Sequence, residues 1–340
     1  MIFAVSLHSL PLAREFRISR GAKTHADVVR LRIDSCGFSG RSECVPYARF
    51  NESVASVSAD IDAFLTQWQI ELSLILTDIA YINDASKLTD FIESKQLSGA
   101  AANAVDCAMW DWMCKRFDQS IYTLLELPDN IPALTAQTLS LGSIDDMLAQ
   151  AQQMRHVPLI KIKFDATDVV HKMQKIAEIC SNSEFILDAN EAWSIDLLNQ
   201  IVLDLKGINV RLIEQPLPAN NDEDMLLYKG KIPICGDESC HTSQTFAQLV
   251  GKYQAINIKL DKTGGFTEAL RLIQLAQAAE MQIMLGCMVG SSLAMAPNRV
   301  LAGYADVLDL DGPILVAQDI DNGYTIDSGY ISTHSSALWG

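Results

Sequence analysis

The residues of this chain that could do chemistry sit at the ends of short apolar runs. Pro158-Leu159-Ile160-Lys161-Ile162-Lys163-Phe164-Asp165 carries two lysines at its end. On a strand, alternate residues share a face, so Lys161 and Lys163 point the same way. Two ammonium groups among apolar neighbours are costly unless something uses them. A like charge and partial burial both lower a lysine pKa, toward a base usable near neutral pH. The plainer alternative is a pair that snorkels from a strand end into water. Three later runs end in a carboxylate each: Ile186-Leu187-Asp188-Ala189-Asn190, Leu212-Ile213-Glu214-Gln215-Pro216 and Ile234-Cys235-Gly236-Asp237-Glu238-Ser239. One such Asp is usually only the N-cap of the next helix. Three on neighbouring strands repel one another and require a cation. Oxygen-only ligands suit a hard ion, Mg2+ before others, and no His or Cys joins them to favour zinc. A further run, Ile256-Asn257-Ile258-Lys259, ends in a third lysine, and Leu308-Asp309-Leu310-Asp311-Gly312-Pro313 ends in two aspartates.

These runs belong to a series. From about residue 133, short apolar strands recur roughly every 22 to 27 residues, each followed by a helical stretch. They are Leu134 to Leu139, Leu159 to Phe164, Phe185 to Asp188, Val210 to Glu214, Ile232 to Gly236, Ala255 to Leu260, Gln282 to Gly286 and Asp306 to Asp309. Eight such units predict an α/β fold, a (β/α)8-type (modified TIM) barrel, which places its chemistry at the C-terminal strand ends. A doubly wound sheet competes, but no G-x-G-x-x-G follows any strand. Thr263-Gly264-Gly265 reads as a tight strand-to-helix turn more than an anion cradle. Strands two and six of a closed barrel face each other across the mouth. A substrate held on the metal would therefore meet a lysine on each side. That arrangement suits removal of a proton α to a carboxylate and its return on either face.

Upstream of the barrel the pattern is strands, then helices, which predicts an α+β capping domain. Val28-Val29-Arg30-Leu31-Arg32-Ile33 alternates as a half-buried strand. The stretch from Arg14 to His25 concentrates Arg14, Arg17, Arg20 and Lys23. It reads as a solvated loop or as a flap that offers cations to an anionic substrate. The helix-like stretch Ser98 to Met113 reads as core. The expected division is 1-125 for the capping domain, 126-315 for the barrel and 316-340 for a segment folding back on the cap.

Lys161-Ile162-Lys163, then Asp188, Glu214 and Asp237 on three strands, then Lys259, resembles the enolase superfamily, in particular its muconate-lactonizing subgroup. The resemblance spans nearly the whole chain. It implies that Asp188, Glu214 and Asp237 hold Mg2+, that Lys163 and Lys259 are the acid/base pair, and that Lys161 tunes Lys163. Asp309-Leu310-Asp311 is similar to the Asp-x-Asp signature of dipeptide epimerases, where the pair binds a free α-ammonium. Arg20-Gly21-Ala22-Lys23 resembles the flap of L-Ala-D/L-Glu epimerases, in which a cation takes the glutamate side chain; that flap often carries Arg where Lys23 stands. Tyr47 and Thr135 are further expected at the substrate, and Asn190 behind the metal ligands. Many members carry a Glu soon after strand seven; Gly290 stands in that stretch here, and no role is assigned to it. The implied activity is a Mg2+-dependent dipeptide epimerase acting on L-Ala-D-Glu and L-Ala-L-Glu, in recycling of cell-wall peptides. N-acylamino acid racemase, o-succinylbenzoate synthase and muconate-type cycloisomerase are the alternatives on the same scaffold. Their substrates carry no free ammonium, which leaves Asp309 and Asp311 unexplained. A barrel that only binds ligand would not need two opposed lysines, and a Schiff-base aldolase needs one lysine and no carboxylate trio.

Composition excludes little else. A formal net charge of -16 over 340 residues disfavours nucleic acid and acidic membrane surfaces as partners. None of the eight cysteines forms a C-x-x-C pair, so they read as free thiols of a reducing compartment. No signal peptide or membrane span is evident, and a cytoplasmic homo-oligomer is expected.

Overall fold

The computed structural model describes residues 1–75, 86–97 and 99–340. An antiparallel sheet opens the chain in the order β1 (Ile2–Ile18), β2 (Gly21–Ser35), β3 (Phe38–Cys44). Its apolar face, with Val29, Leu31 and Ile33, is buried against the helix Gly99–Phe117. Gly40 makes that approach possible. A Cβ there would lie 2.0 Å from the Ala108 carbonyl oxygen and 2.6 Å from Trp112 Cβ. Every residue of this helix from Ala100 to Cys114 is buried, because it has the cap sheet on one side and the barrel on the other. On the barrel side Trp110 Nε1 donates to Thr267 Oγ1 at 2.8 Å, and Asp106 accepts from Thr267 N and Oγ1 at 3.0 and 2.7 Å. The intervening Gly265 has φ +124°, and a Cβ on it would fall 2.6 Å from Asp106 Oδ2. Thr263-Gly264-Gly265 is thus a turn against the cap.

Eight parallel strands follow in sequential order: β5 (Gln137–Leu139), β6 (Leu159–Lys163), β7 (Glu184–Asp188), β8 (Val210–Glu214), β9 (Ile234–Gly236), β10 (Ala255–Ile258), β11 (Gln282–Gly286) and β12 (Val307–Asp309). The ring is nearly closed, and Ala136 N donates to Leu308 O at 2.8 Å across the remaining gap. Ala136, Leu159, Ile186, Leu212, Cys235, Ala255, Met284 and Val307, one residue per strand unit, form a single apolar cluster. The barrel is therefore a packed core.

Three sequence expectations change. The first barrel strand, read as Leu134 to Leu139, is split. Leu134 belongs to β4 (Ala133–Leu134), which pairs antiparallel with β14 (Tyr330–Ile331), itself paired with β13 (Ile326–Asp327). Thr135 N donates to Gly329 O at 2.9 Å, and the chain changes sheets there. The returns after β8 and β9 are 3-10 turns, at Ala219–Asn221, Glu223–Leu227 and Ser243–Gln248, where helices were expected. Pro216 and Pro218, which lack backbone donors, oppose a helix directly after β8. The stretch Arg14 to His25, read as a loop or a flap, is a hairpin: β1 pairs with β2 up to Ile18 and Gly21, with a register shift between Pro11 and Phe16.

The last residues are tied to both halves. Trp339 is fully buried, donates from Nε1 to Cys107 O at 2.9 Å, and has its ring centroid 5.4 Å from that of Phe266. Arg41 Nη2 donates to Leu338 O at 2.8 Å, and Gly340 N donates to Asp111 Oδ1 at 2.8 Å.

Candidate active site

Strand register assembles the site. Lys163 is level with Asp188, Asp188 with Glu214, and Glu214 with Cys235, two residues before Asp237. The three carboxylates therefore reach one rim of the barrel from adjacent strands. Lys163 Nζ lies 2.5 Å from Asp188 Oδ2 on one side, and Lys259 Nζ lies 2.7 Å from Asp237 Oδ2 on the other. Lys161 stands between them, 2.7 Å from Glu214 Oε2, 2.7 Å from Asp309 Oδ2 and 3.1 Å from Asp188 Oδ2.

The electrostatics of Lys161 depart from the sequence expectation that its pKa would be lowered. Burial opposes charge on Lys161, yet Asp309, Glu214 and Asp188 raise its pKa well above the usual value. Burial opposes charge on Lys259 too, and Asp237 overcomes it and raises that pKa. Carboxylates within about 3 Å outweigh both desolvation and the like charge. The reverse holds for the acids. Against burial, Lys163 and Lys161 keep Asp188 well below the carboxylate range, and Lys259 and Lys262 do so for Asp237. Glu214, in the middle, is pushed up to about 8 by burial and by Asp188.

Surrounding side chains fix these groups. Asn190 N donates to Asp188 Oδ1 at 2.9 Å, and Asn190 and Glu191 turn through φ +43° and +70° to allow it. Asn257 Nδ2 donates to Glu214 Oε1 at 2.8 Å. Gln215 Oε1 accepts from Asp237 N at 2.8 Å and Ser239 N at 3.1 Å, which sets the turn that carries Asp237. Lys262 Nζ lies 2.5 Å from Asp237 Oδ1 and also donates to Asp237 O. The sequence reading missed Lys262 and gave Gln215 and Asn257 no part. Lys262 follows Lys259 by three residues, a helical spacing that signals a shared side.

Asp309 and Asp311 are buried at the end of β12. Asp311 Oδ2 accepts from Thr138 N at 2.6 Å, while burial and Asp309 push its pKa up to about 6. Asp309 Oδ1 is buried and has no hydrogen-bond partner among the described residues. Thr135, expected at the substrate, is fully buried, and its hydroxyl accepts from Leu310 N at 2.9 Å. It braces the turn between the two aspartates. At Gly290 a Cβ would lie 3.1 Å from Glu43 Oε1 and Val45 Cγ2, so the cap leaves little room for a side chain there.

The β1–β2 hairpin crosses this mouth. Arg14 Nη2 donates to Thr138 O at 3.1 Å, Leu141 N donates to Arg17 O at 3.0 Å, and the tip reaches Asn190 and Glu238. Beneath it Lys163 and Lys259 are each 6% exposed, so the site is closed to bulk water. Arg20 is engaged by Glu238, Glu191 and Tyr47; Lys23 Nζ lies 5.4 Å from the Tyr47 ring centroid and makes no ion pair among the described residues.

As a metal site, the donor chemistry fits a hard divalent ion: three carboxylates at one level and no softer group. Among the described residues no three His, Cys, Asp or Glu side chains converge as an ion shell, because lysine ammonium groups face the carboxylate oxygens.

Residues 146–332 match the family described as enolase C-terminal domain-like, and residues 2–126 match the mandelate racemase/muconate lactonizing enzyme N-terminal domain. The chain belongs to the enolase superfamily. Within the superfamily it is 42% identical to an N-acetyl-D-glutamate racemase from a Pseudoalteromonas species, over 89% of this chain and 92% of that one. It is 36% identical to the L-Ala-D/L-Glu epimerase of Escherichia coli K12, over 94% and 95%. A crystal structure of an enolase family member from Agrobacterium tumefaciens, with homology to dipeptide epimerases, superposes with a TM-score of 0.89 at 37% identity, covering 99% of both chains. That protein holds sodium and L-Ala-L-Glu with an ordered loop. A dipeptide epimerase from Cytophaga hutchinsonii, 24% identical with a TM-score of 0.85 over 99% and 95% of the two chains, shares the fold and was solved with Mg and D-Ala-L-Val. No helix among the described residues is long and apolar enough to cross a membrane.

Proposed function

We propose that this enzyme is a Mg2+-dependent isomerase that inverts the α-carbon of the second residue of a dipeptide, with L-Ala-D-Glu and L-Ala-L-Glu as its pair. The observation that carries the reading is Asp309 Oδ1, a buried carboxylate oxygen without a hydrogen-bond partner among the described residues, beside a second buried carboxylate on Asp311. A substrate ammonium would satisfy both, and an N-acyl group would leave a buried acceptor unmet. Lys163 and Lys259 lie on opposite sides of the carboxylate trio, as a 1,1-proton transfer requires. One removes the α-proton and the other returns a proton to the opposite face of the enediolate, so no net proton is consumed. Asp188, Glu214 and Asp237 would hold Mg2+, whose charge, when bound, makes the α-proton of a nearby carboxylate substrate more acidic. The flap excludes water, and Lys23, which makes no ion pair among the described residues, would meet a glutamate side chain. Recycling of cell-wall peptides in the cytoplasm is the corresponding role.

The similarity to an N-acetyl-D-glutamate racemase supports a second reading, in which the same lysines invert an N-acylated glutamate. Both substrates end in glutamate and differ at the nitrogen. L-Ala-L-Glu and N-acetyl-L-glutamate, incubated separately with enzyme and Mg2+ in D2O, test the choice by deuterium incorporation at the α-carbon. Exchange of the dipeptide supports the epimerase. Exchange of the N-acetyl compound alone would overturn it.

A further inference from the structure

The flap is joined to the barrel rim by a compact set of charges. Arg20, at the turn between β1 and β2, donates from Nη2 to Glu238 Oε1 at 2.6 Å and Tyr47 Oη at 3.0 Å. Its Nη1 donates to Asn190 O and Glu191 Oε2, both at 3.0 Å. Ser19 Oγ donates to the same Asn190 carbonyl at 3.2 Å. Glu191 is held from the other side by Arg49, at 2.7 and 2.8 Å, and accepts from Ala219 N at 2.8 Å.

Glu238 is the less obvious member. Its side chain is 3% exposed, and among the described residues Arg20 is the one cation within ion-pair distance. A carboxylate that deep in the rim loses its counter-charge whenever the hairpin lifts, so its position favours the closed hairpin. Asn190 follows Asp188 by two residues, and Glu238 follows Asp237 directly. The tip is thus tied to the ends of the two strands that carry the outer carboxylates.

We propose that Arg20 is a latch: with Glu238, Asn190 and Glu191 it holds the hairpin closed over the mouth, and it is a positioning residue that sets Lys23 and Tyr47 instead of a substrate ligand. Four protein acceptors already occupy its two terminal nitrogens, whereas Lys23, three residues on, makes no ion pair among the described residues. The kinetic half of this inference rests on the dipeptide reading; the latch itself does not.

Hydrogen exchange by mass spectrometry on the 340-residue enzyme, without substrate, tests the latch. Arg20→Ala should speed exchange of the tip amides of residues 19–24 about tenfold and leave the barrel strands unchanged. Arg20→Lys, which keeps the charge and loses the fork, should fall between, and Lys23→Ala should leave tip exchange as in wild type. Kinetics separate the two cations. Arg20→Ala should lower kcat/KM by a similar factor, about tenfold, for L-Ala-L-Glu and for an L-Ala dipeptide with an apolar second residue. Lys23→Ala should weaken the acidic dipeptide more than the apolar one. Unchanged tip exchange in Arg20→Ala would overturn the latch, and so would a loss confined to the acidic substrate. Inactivity of the wild type on every dipeptide would refute the functional reading, with hydrogen exchange still deciding the latch.

Discussion

The floor of the site and the flap above it use ion pairs differently. On the floor, Lys163 meets Asp188, Lys259 meets Asp237 and Lys262 meets Asp237 at sequence separations of 25, 22 and 25 residues, one strand unit each. In the flap, Arg20 meets Asn190, Glu191 and Glu238 at separations of 170, 171 and 218. Floor groups are almost wholly buried, whereas the Arg20 side chain is 27% exposed. These three floor pairs are fixed when adjacent strands pair, and little water screens them. Flap pairs form when the two halves of the molecule meet, and water weakens them. The floor is therefore suited to chemistry that tolerates no displacement, and the flap to a contact that must open for each turnover.

Substitutions in the two regions should differ in kind as well as size. The largest effect is expected at the opposed lysines. Lys259→Ala and Lys163→Ala should each abolish epimerisation, a loss of about two to four orders of magnitude. Each should still exchange the α-proton of one stereoisomer in D2O through the remaining lysine. Wild-type epimerisation rates in both variants would sink the assignment. Next is the trio. Asp237→Asn should weaken Mg2+ binding, read by calorimetry, and slow turnover severely; EDTA should abolish activity and Mg2+ restore it. Full activity in chelator would remove the ion from the chemistry.

Smaller again is the ammonium end. Truncating one partner of a desolvated charge pair costs about 2–5 kcal/mol. Asp311→Asn, or N-acetylation of the dipeptide, should therefore lower kcat/KM by roughly one to four orders of magnitude. Equal turnover of the acetylated substrate would mean that Asp309 and Asp311 hold no ammonium, and the floor would then be that of an N-acylamino acid racemase. The smallest effect belongs to the flap. Lys23→Glu should reduce kcat/KM for L-Ala-L-Glu more, by about tenfold, than for an apolar dipeptide, because only the acidic one meets a reversed charge. Equal losses on the two would show that the flap does not read the second side chain.

The same contrast explains what the sequence disclosed. The barrel and its floor were legible because each of Lys161, Lys163, Asp188, Glu214, Asp237 and Lys259 lies in or just after a short apolar strand, and strand order alone brings them together. The hairpin was legible only as one of two readings, loop or flap. Its charges are interleaved with Phe16, Ile18, Ser19, Gly21, Ala22 and Thr24 in no regular pattern, and the ladder that makes it a strand lies between residues whose pairing no local pattern states. Glu238 was visible beside Asp237, but its partner Arg20 is 218 residues away. The charge state of Lys161 was misjudged for a related reason. The carboxylates that raise Lys161 include Asp309, which comes from the far end of the barrel sequence.

The burial of Trp339 bears on when the protein can finish folding. Its ring fills the seam between the cap helix Gly99–Phe117 and the barrel helix that begins at Phe266, and β14 of the same tail pairs with β4 at the entry to the barrel. All eight barrel strands have been synthesised by residue 309, yet the cap helix and β4 still lack partners that come from residues 330 to 339. During synthesis the N-terminal half must wait for the end of the C-terminal half, with Cys107 O and the inner face of the cap helix uncovered meanwhile. A ribosome-stalled chain ending at residue 315 should be cut readily by protease between cap and barrel, and one extended through residue 340 should resist. The tail thus acts on the timing of maturation, since residues 330–339 are made after every barrel strand and lock both halves.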